Sequence, residues 1–180
     1  MKILAFGAST SRDSINAKLA TLAANRFKAQ HAADAEIMTV DLNDYEMPLY
    51  SIDRETADGI PANAHALFEK IGSADALIIS FAEHNGNYTA AWKNSFDWMS
   101  RIDGKVYQDR PMVILATSPG PGGATSVLNL AENSAQFFGT EIKGKLSVPV
   151  WNEAYDAEND TLTSDTLLSA LDEALSALAG

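Results

Sequence analysis

An α/β fold, built on a five-stranded parallel sheet in the order 2-1-3-4-5 with helices on both faces, is what this sequence predicts. Apolar runs alternate with stripes of helical spacing along the whole chain, with no internal repeat and no low-complexity linker. Two of the runs, Ala-Leu-Ile-Ile-Ser-Phe at 76–81 and Met-Val-Ile-Leu-Ala-Thr at 112–117, are almost continuously apolar. Continuity of that kind belongs to parallel strands covered on both sides, since a strand with one wet face would alternate.

In chain order, strands are expected at residues 3–6, 36–40, 76–81, 112–117 and 142–148. Between and after them lie one-face stripes: Ile15, Leu19, Leu22 and Ala23; Ala64, Leu67, Phe68 and Ile71; Trp92, Phe96 and Met99; Val127, Ala131, Ser134 and Phe138; and Leu167, Leu171, Leu175 and Leu178. Parallel strands need crossovers, and each stripe supplies one. A single domain over residues 1–180 is the expectation for this length.

Composition narrows the class. Hydrophobic residues make up 46% and charged residues 21%, as in ordinary globular proteins. A net charge of −11 argues against nucleic acid or an anionic membrane as partner. No apolar run reaches membrane-spanning length, and the first strand starts after one lysine without a signal-peptide pattern. Cysteine is absent, so thiolate chemistry and disulfides are excluded, and a reducing cytoplasm is the simplest location. The three histidines, His31, His65 and His84, lack metal-ligand spacing, and no bound metal is expected. The acidic stretch 153–165 lacks the central glycine of a calcium loop and reads as a solvated connection. No Gly-x-Ser-x-Gly elbow occurs.

Open parallel sheets bind ligands beyond the carboxyl ends of their strands, where the strand order reverses. Three loops fall there. The first, residues 7–16, offers Ser9, Ser11, Arg12, Ser14 and Asn16 between a strand and a helix. Short hydroxyls, an amide and the free N–H groups of a first helical turn suit a phosphate monoester. The dinucleotide glycine fingerprint is missing, because Ser9 and Arg12 stand where its later glycines would fall, and no Gly-Lys-Ser/Thr ending is present. The competing interpretation is that these residues only cap a helix, with Ser14 as N-cap. The second loop carries Glu83, His84, Asn85, Gly86 and Tyr88; Asn85-Gly86 suits positive φ, and Tyr88 offers a possible aromatic face. His84, though a lone histidine, stands at the switch point and is the one candidate catalytic side chain. The third loop, Ser118-Pro119-Gly120-Pro121-Gly122-Gly123, is stiff and nearly free of side-chain bulk. It lets a flat ligand approach the backbone, with amides of the following helix turned toward it.

Taken together, the three loops resemble those of the NAD(P)H-dependent FMN reductases, a family of flavodoxin-like three-layer sandwiches that includes quinone, azo-dye and chromate reductases. Ser14-Ile15-Asn16 matches the end of that family's phosphate loop, although Ser11 stands where its arginine usually falls and Arg12 is displaced by one position. Lys93-Asn94-Ser95-Phe96-Asp97-Trp98 matches its Lys-Asn-x-x-Asp-Trp segment, and Ser118, Gly120, Gly122 and Gly123 match a Ser-x-Gly-x-Gly-Gly pattern. Met47-Pro48-Leu49-Tyr50 resembles the family's segment after the second strand. Ala82 and His84 replace its usual proline and tyrosine.

The resemblance implies bound FMN and NADPH or NADH as electron donor. Hydride would pass through the flavin to a small acceptor such as a quinone, an azo compound or free flavin. It implies that Ser9, Ser11, Arg12, Ser14, Ile15 (through its amide) and Asn16 hold the phosphate. Glu83, His84, Asn85 and Gly86 would line the ring, with Ser118, Gly120, Gly122 and Gly123 at its other edge. Lys93, Asn94, Asp97 and Trp98 are implied to position the second loop or to join a homodimer or homotetramer interface. An exposed Trp or Phe beside that loop would suit such an interface. The alternatives left open are a non-enzymatic flavodoxin-type electron carrier and a scaffold without flavin.

Overall fold

The computed structural model describes residues 1–179. In chain order its elements are β1 (Lys2–Ala8), α1 (Ile15–His31), β2 (Glu36–Thr39), a 3₁₀ turn (Leu42–Tyr45), α2 (Ile52–Asp58) and α3 (Ala62–Gly72). Then come β3 (Ala76–Phe81), β4 (Glu83–His84), β5 (Asn87–Tyr88), α4 (Ala90–Met99), β6 (Met112–Thr117) and α5 (Thr125–Ala135). A 3₁₀ turn (Gln136–Phe138), β7 (Ile142–Val148), α6 (Trp151–Ala154), β8 (Tyr155–Asp156), β9 (Thr161–Leu162) and α7 (Asp165–Ser176) complete the described chain.

The main sheet runs β2-β1-β3-β6-β7, and every pairing in it is parallel. Counting only its own strands, this is the expected 2-1-3-4-5 order. Strands three and four have the bounds read from their apolar runs, whereas β1 is longer than expected and reaches Ala8. Alternate residues of the central strands enter opposite cores. Leu4, Phe6, Leu77, Ile79, Met112 and Ile114 pack with α3, α4 and α5, while Ile3, Ala5, Ile78, Val113 and Leu115 pack with α1 and α7. Both faces are therefore dry, which is why the strands read as unbroken apolar runs. The edge strand β7 is only half-buried and carries Lys143 and Lys145, charges that discourage pairing with another sheet.

Two features place the ligand-side ends of the elements. A Cβ on Gly7 would lie 2.8 Å from the Ala17 Cα, so glycine is what lets the first turn of α1 rest on β1. Stretch 153–165, expected to be solvated connection, instead forms a hairpin (β8–β9) whose Leu162 joins Trp151 and Ala154 in the α1-side core. Polar spacing hid a few buried apolar residues there.

Helices α1 and α7 are also joined by a two-bond ion pair, with Arg26 Nε and Nη2 donating to the Asp172 carboxylate at 2.7 Å each. The Arg26 hydrogen bond holds the Asp172 carboxyl below its usual range. A depressed native pKa means the pair stabilises the fold at pH values above the unfolded carboxyl's, about 4, and stops doing so as pH falls through the native value. Asp172→Asn is expected to lower the urea midpoint at pH 7, and the gap from wild type should shrink as the pH is lowered below about 4.

Candidate functional site

The loops after β1, β3 and β6 converge on one cavity of about 200 Å³. Its wall includes Ser9, Ser11, Ser14, Ile15 and Asn16 from the first loop, Glu83 and His84 from the second, and Ser118 from the third. Asp13, Ala82, Thr117 and Pro119 complete it. Arg12, Asn85, Gly86, Gly120, Gly122 and Gly123 are not on this wall.

The first loop is shaped by its own hydroxyls. Ser14 is the N-cap of α1, its Oγ accepting from Ala17 N at 3.2 Å, and it is 8% exposed. Ser9 Oγ accepts from Ser11 N at 3.1 Å. In both cases the hydroxyl proton stays available for an acceptor in the cavity. No acidic residue occupies the first turn of α1, so its positive dipole end and the amides that Ser14 does not cap border the cavity. Asp13 is turned to Lys18. Arg12 departs from the expectation: it lines a groove on the outer side of α1 with Lys18, Thr21 and Tyr155.

Asn16 also departs from its expected role. Its side chain is 3% exposed, and its Oδ1 accepts from Ser80 Oγ at 2.7 Å and from Thr117 N at 3.0 Å. Its Nδ2 donates to Thr117 O at 3.1 Å. Both acceptor sites and one of the two donors are spent inside the protein.

The second loop is a hairpin. Glu83 and His84 pair with Tyr88 and Asn87, and the two turn residues Asn85 and Gly86 have φ of 54° and 77°. Positive φ at both turn positions is the geometry that Asn-Gly favours in two-residue hairpins. His84 is left exposed on the cavity wall. Tyr88 turns the other way, its ring against Phe81 at 5.4 Å, and lines a separate groove of about 330 Å³ between α4 and α5. It offers no aromatic face to the three-loop cavity. Thr89 closes the hairpin, capping α4 through Trp92 N and donating to Ala8 O at 3.0 Å.

Glu83 has a role that sequence alone did not give it. Ala124, the residue before α5, offers no side-chain cap, and Glu83 Oε2 accepts from Val127 N at 3.0 Å instead. One amide expected to face a ligand is thus taken by a carboxylate from the neighbouring loop. The third loop is braced from behind by residues 147–151. Val150 N donates to Gly120 O and Trp151 N to Ser118 O, both at 3.1 Å, while Ser147 Oγ donates to Gly123 O at 2.7 Å. Val150 has φ of 49°, a strained conformation for a branched side chain, so no propensity signal pointed to this brace. Gly123 is required by the fold itself: its φ is +57°, and a Cβ would crowd Pro149 N at 3.1 Å. At Gly120 and Gly122 a Cβ would meet no protein atom within 4 Å.

The Lys93–Trp98 segment positions a different stretch from the one expected. Asn94 Oδ1 accepts from Tyr50 N at 2.8 Å, and Trp98 Nε1 donates to Pro48 O at 2.7 Å. Together they hold residues 47–50 after the second strand rather than the second loop. Trp92 and Trp98 are buried and unavailable to an interface, whereas Phe137 is 74% exposed beside α5. Among the described residues no cluster of three or more metal-ligating side chains occurs, and no helix is long and apolar enough to cross a membrane.

A parallel 2-1-3-4-5 sheet with its carboxyl-end loops gathered on one cavity defines the flavodoxin-like class. Within that class the family model for NADPH-dependent FMN reductase matches residues 1–153, and the chain belongs to that family. The chain is similar to the quinone reductase of Escherichia coli (strain K12), with 31% identity over 122 residues, 62% of this chain and 64% of that one. To the 2-hydroxy-1,4-benzoquinone reductase of a Burkholderia species it is 34% identical over 124 residues, 68% of this chain and 63% of the relative. The matched stretches thus span somewhat less than two thirds of these curated relatives. Among solved structures, FerB, a flavoenzyme NAD(P)H:(acceptor) oxidoreductase from Paracoccus denitrificans, superposes with a TM-score of 0.74 at 25% identity, covering 99% of this chain and 94% of that one.

If Glu83 caps α5, Glu83→Ala should destabilise the fold by about 1 kcal/mol, while Glu83→Gln, which can still accept, should cost only a few tenths. Urea unfolding of both variants checks the order; equal losses contradict the capping role.

Proposed function

We propose that this protein is an FMN-dependent oxidoreductase that passes hydride from NADH or NADPH to a small acceptor, such as a quinone, an azo compound or free flavin. The observation that carries the reading is the single cavity on which the three loops meet, with an unopposed helix N-terminus at one end and a low-bulk loop beside the other. Membership of the FMN reductase family and the names of the quinone-reducing relatives support it.

The residues present fit FMN. Ser9, Ser11 and Ser14 hydroxyls, with the first-turn amides that include Ile15 N, would hold a phosphate monoester by dipoles and donors, against an overall charge of −11. The fold does not itself need glycine at 120 and 122, and that open space suits the edge of a flat ring. His84, exposed on the wall, is positioned to donate a hydrogen bond or proton to an acceptor. Glu83 and Ser118 would flank the ring through the hairpin and the third loop. Bound FMN would supply the redox centre through which hydride passes from the nicotinamide to the acceptor. The protein's own part is to bind, orient and keep one face of that centre open.

The same reading includes a homodimer or homotetramer in the cytoplasm, with Leu130 on α5 and Phe137 just after it the exposed apolar side chains that would favour self-association.

Protein mixed with FMN should retain the yellow flavin on gel filtration and oxidise NADH or NADPH when a quinone is added. Retention without turnover overturns the reductase reading, and failure to retain FMN overturns flavin binding. Gly120→Ala and Gly122→Ala provide a second check. Their melting temperatures should stay within about 2 °C of wild type, because the added methyl meets no protein atom. Their FMN affinity should fall, and unchanged affinity in both removes the third loop from the site.

A further inference from the structure

We propose that Asn16 is a positioning residue whose buried amide, bonded to Thr117 and Ser80, sets the spacing between the first and third loops across the flavin cavity. The proposal rests on the flavin-binding reading above and departs from the ligand-donor role that the phosphate-loop resemblance gives this asparagine.

The geometry is that of a missing sheet rung. Pairing of β3 with β6 ends at Phe81 and Ala116, because the chain then leaves the sheet for the β4–β5 hairpin. Thr117, the next residue of β6, has no β3 partner. The Asn16 amide stands in for one, accepting from Thr117 N at 3.0 Å and donating to Thr117 O at 3.1 Å. An amide side chain is the group that offers a peptide's donor and acceptor side by side. Ser80, fully buried on β3, donates to the second lone pair of the same oxygen at 2.7 Å. One side chain at the start of α1 thus ties down two neighbouring strands.

The residues that follow these anchor points matter most. Thr117 directly precedes Ser118 and the low-bulk loop, and Asn16 directly follows Ser14-Ile15 on the cavity wall. The amide therefore holds the third loop, the surface offered to the ring that FMN and riboflavin share, in place against the start of α1. Removing it takes this partner from the N–H and C=O of Thr117 and from the hydroxyl of the fully buried Ser80, and buried polar groups are costly to leave unpaired. The loops would shift to recover partners. Aspartate would be a poor probe, since a new charge beside a phosphate weakens binding for another reason.

The test compares FMN with riboflavin, which has the same ring and lacks the phosphate. Affinities are measured by flavin fluorescence for wild type, Asn16→Leu, Ser80→Ala and Ser14→Ala, well below each melting temperature. Losing a buried hydrogen-bond group should weaken both flavins together, roughly ten-fold in Asn16→Leu and about three-fold in Ser80→Ala. The FMN-to-riboflavin ratio should stay near the wild-type value in those two variants and fall in Ser14→Ala. Amide hydrogen exchange of the flavin-free protein should speed up at residues 117–123 in both Asn16→Leu and Ser80→Ala. A ratio that collapses in Asn16→Leu makes Asn16 a ligand donor and overturns the proposal. Unchanged affinities and unchanged exchange with only a lower melting temperature overturn it as well, leaving a purely structural amide. Should Asn16→Leu fail to fold, Ser80→Ala decides by the same criteria. Wild-type protein that binds neither flavin overturns the function proposed above, and the exchange rates at 117–123 then decide the spacing role alone.

Discussion

The close rest of α1 on Gly7 is the constraint from which the candidate site follows. With no Cβ at Gly7, the helix backbone at Ala17 comes down onto the end of β1. That contact carries Asn16 deep enough to reach Ser80 and Thr117, and it leaves Ser14 at the cavity wall as the helix cap. A helix held one methyl further out would reach neither strand, and the first and third loops would lose their common anchor. The remaining cross-ties then complete the frame. Thr89 joins the second loop to the end of β1, and Glu83 joins it to the start of α5. Each loop is fastened to another by a buried or half-buried polar bond, which is how a site made of loops acquires fixed geometry.

Electrostatics sorts the two helix starts that border the cavity. The first turn of α1 carries no acidic residue, and only its Ala17 amide is spent, on the Ser14 cap. The start of α5 is occupied by the Glu83 carboxylate through Val127 N. An anion entering the cavity therefore meets one open helix N-terminus and one already neutralised. In a chain with a net charge of −11 this local arrangement, rather than the overall field, decides where a phosphate can rest. Arg12, the obvious cation in the loop, faces the outer groove and takes no part in that wall.

How much was legible differs by kind of residue. The strands at 76–81 and 112–117 were readable to the residue, because burial on both faces leaves an uninterrupted apolar run. The positive-φ turn at Asn85-Gly86 was readable because few residue pairs tolerate it. The roles of Asn16, Glu83, Asn94 and Trp98 were not, since each acts on a partner between about 40 and 100 positions away, and polar side chains carry no mark of which backbone group they will meet. Whether Tyr88 would pack its ring or offer it to a ligand was open in the sequence, because alternation along a two-residue strand decides which way it points, and that strand is too short to see there. The brace at Val150 runs against local preference, so nothing in the sequence marked it.

By itself, then, the sequence determined the layers, the central strands and the three loops that follow strands one, three and four, because periodicity and turn chemistry are local properties of the chain. The sheet order was the common solution for five such strands, and the pairings themselves fix it. Tertiary structure alone decided which side chains face the cavity and which are consumed in holding it. The hydroxyls of Ser9 and Ser14 keep a proton to give, while the amide of Asn16 and the carboxylate of Glu83 are spent on backbone groups of other elements. That division depends on where β3 leaves the sheet and how closely α1 meets β1, distances that only the packed molecule fixes.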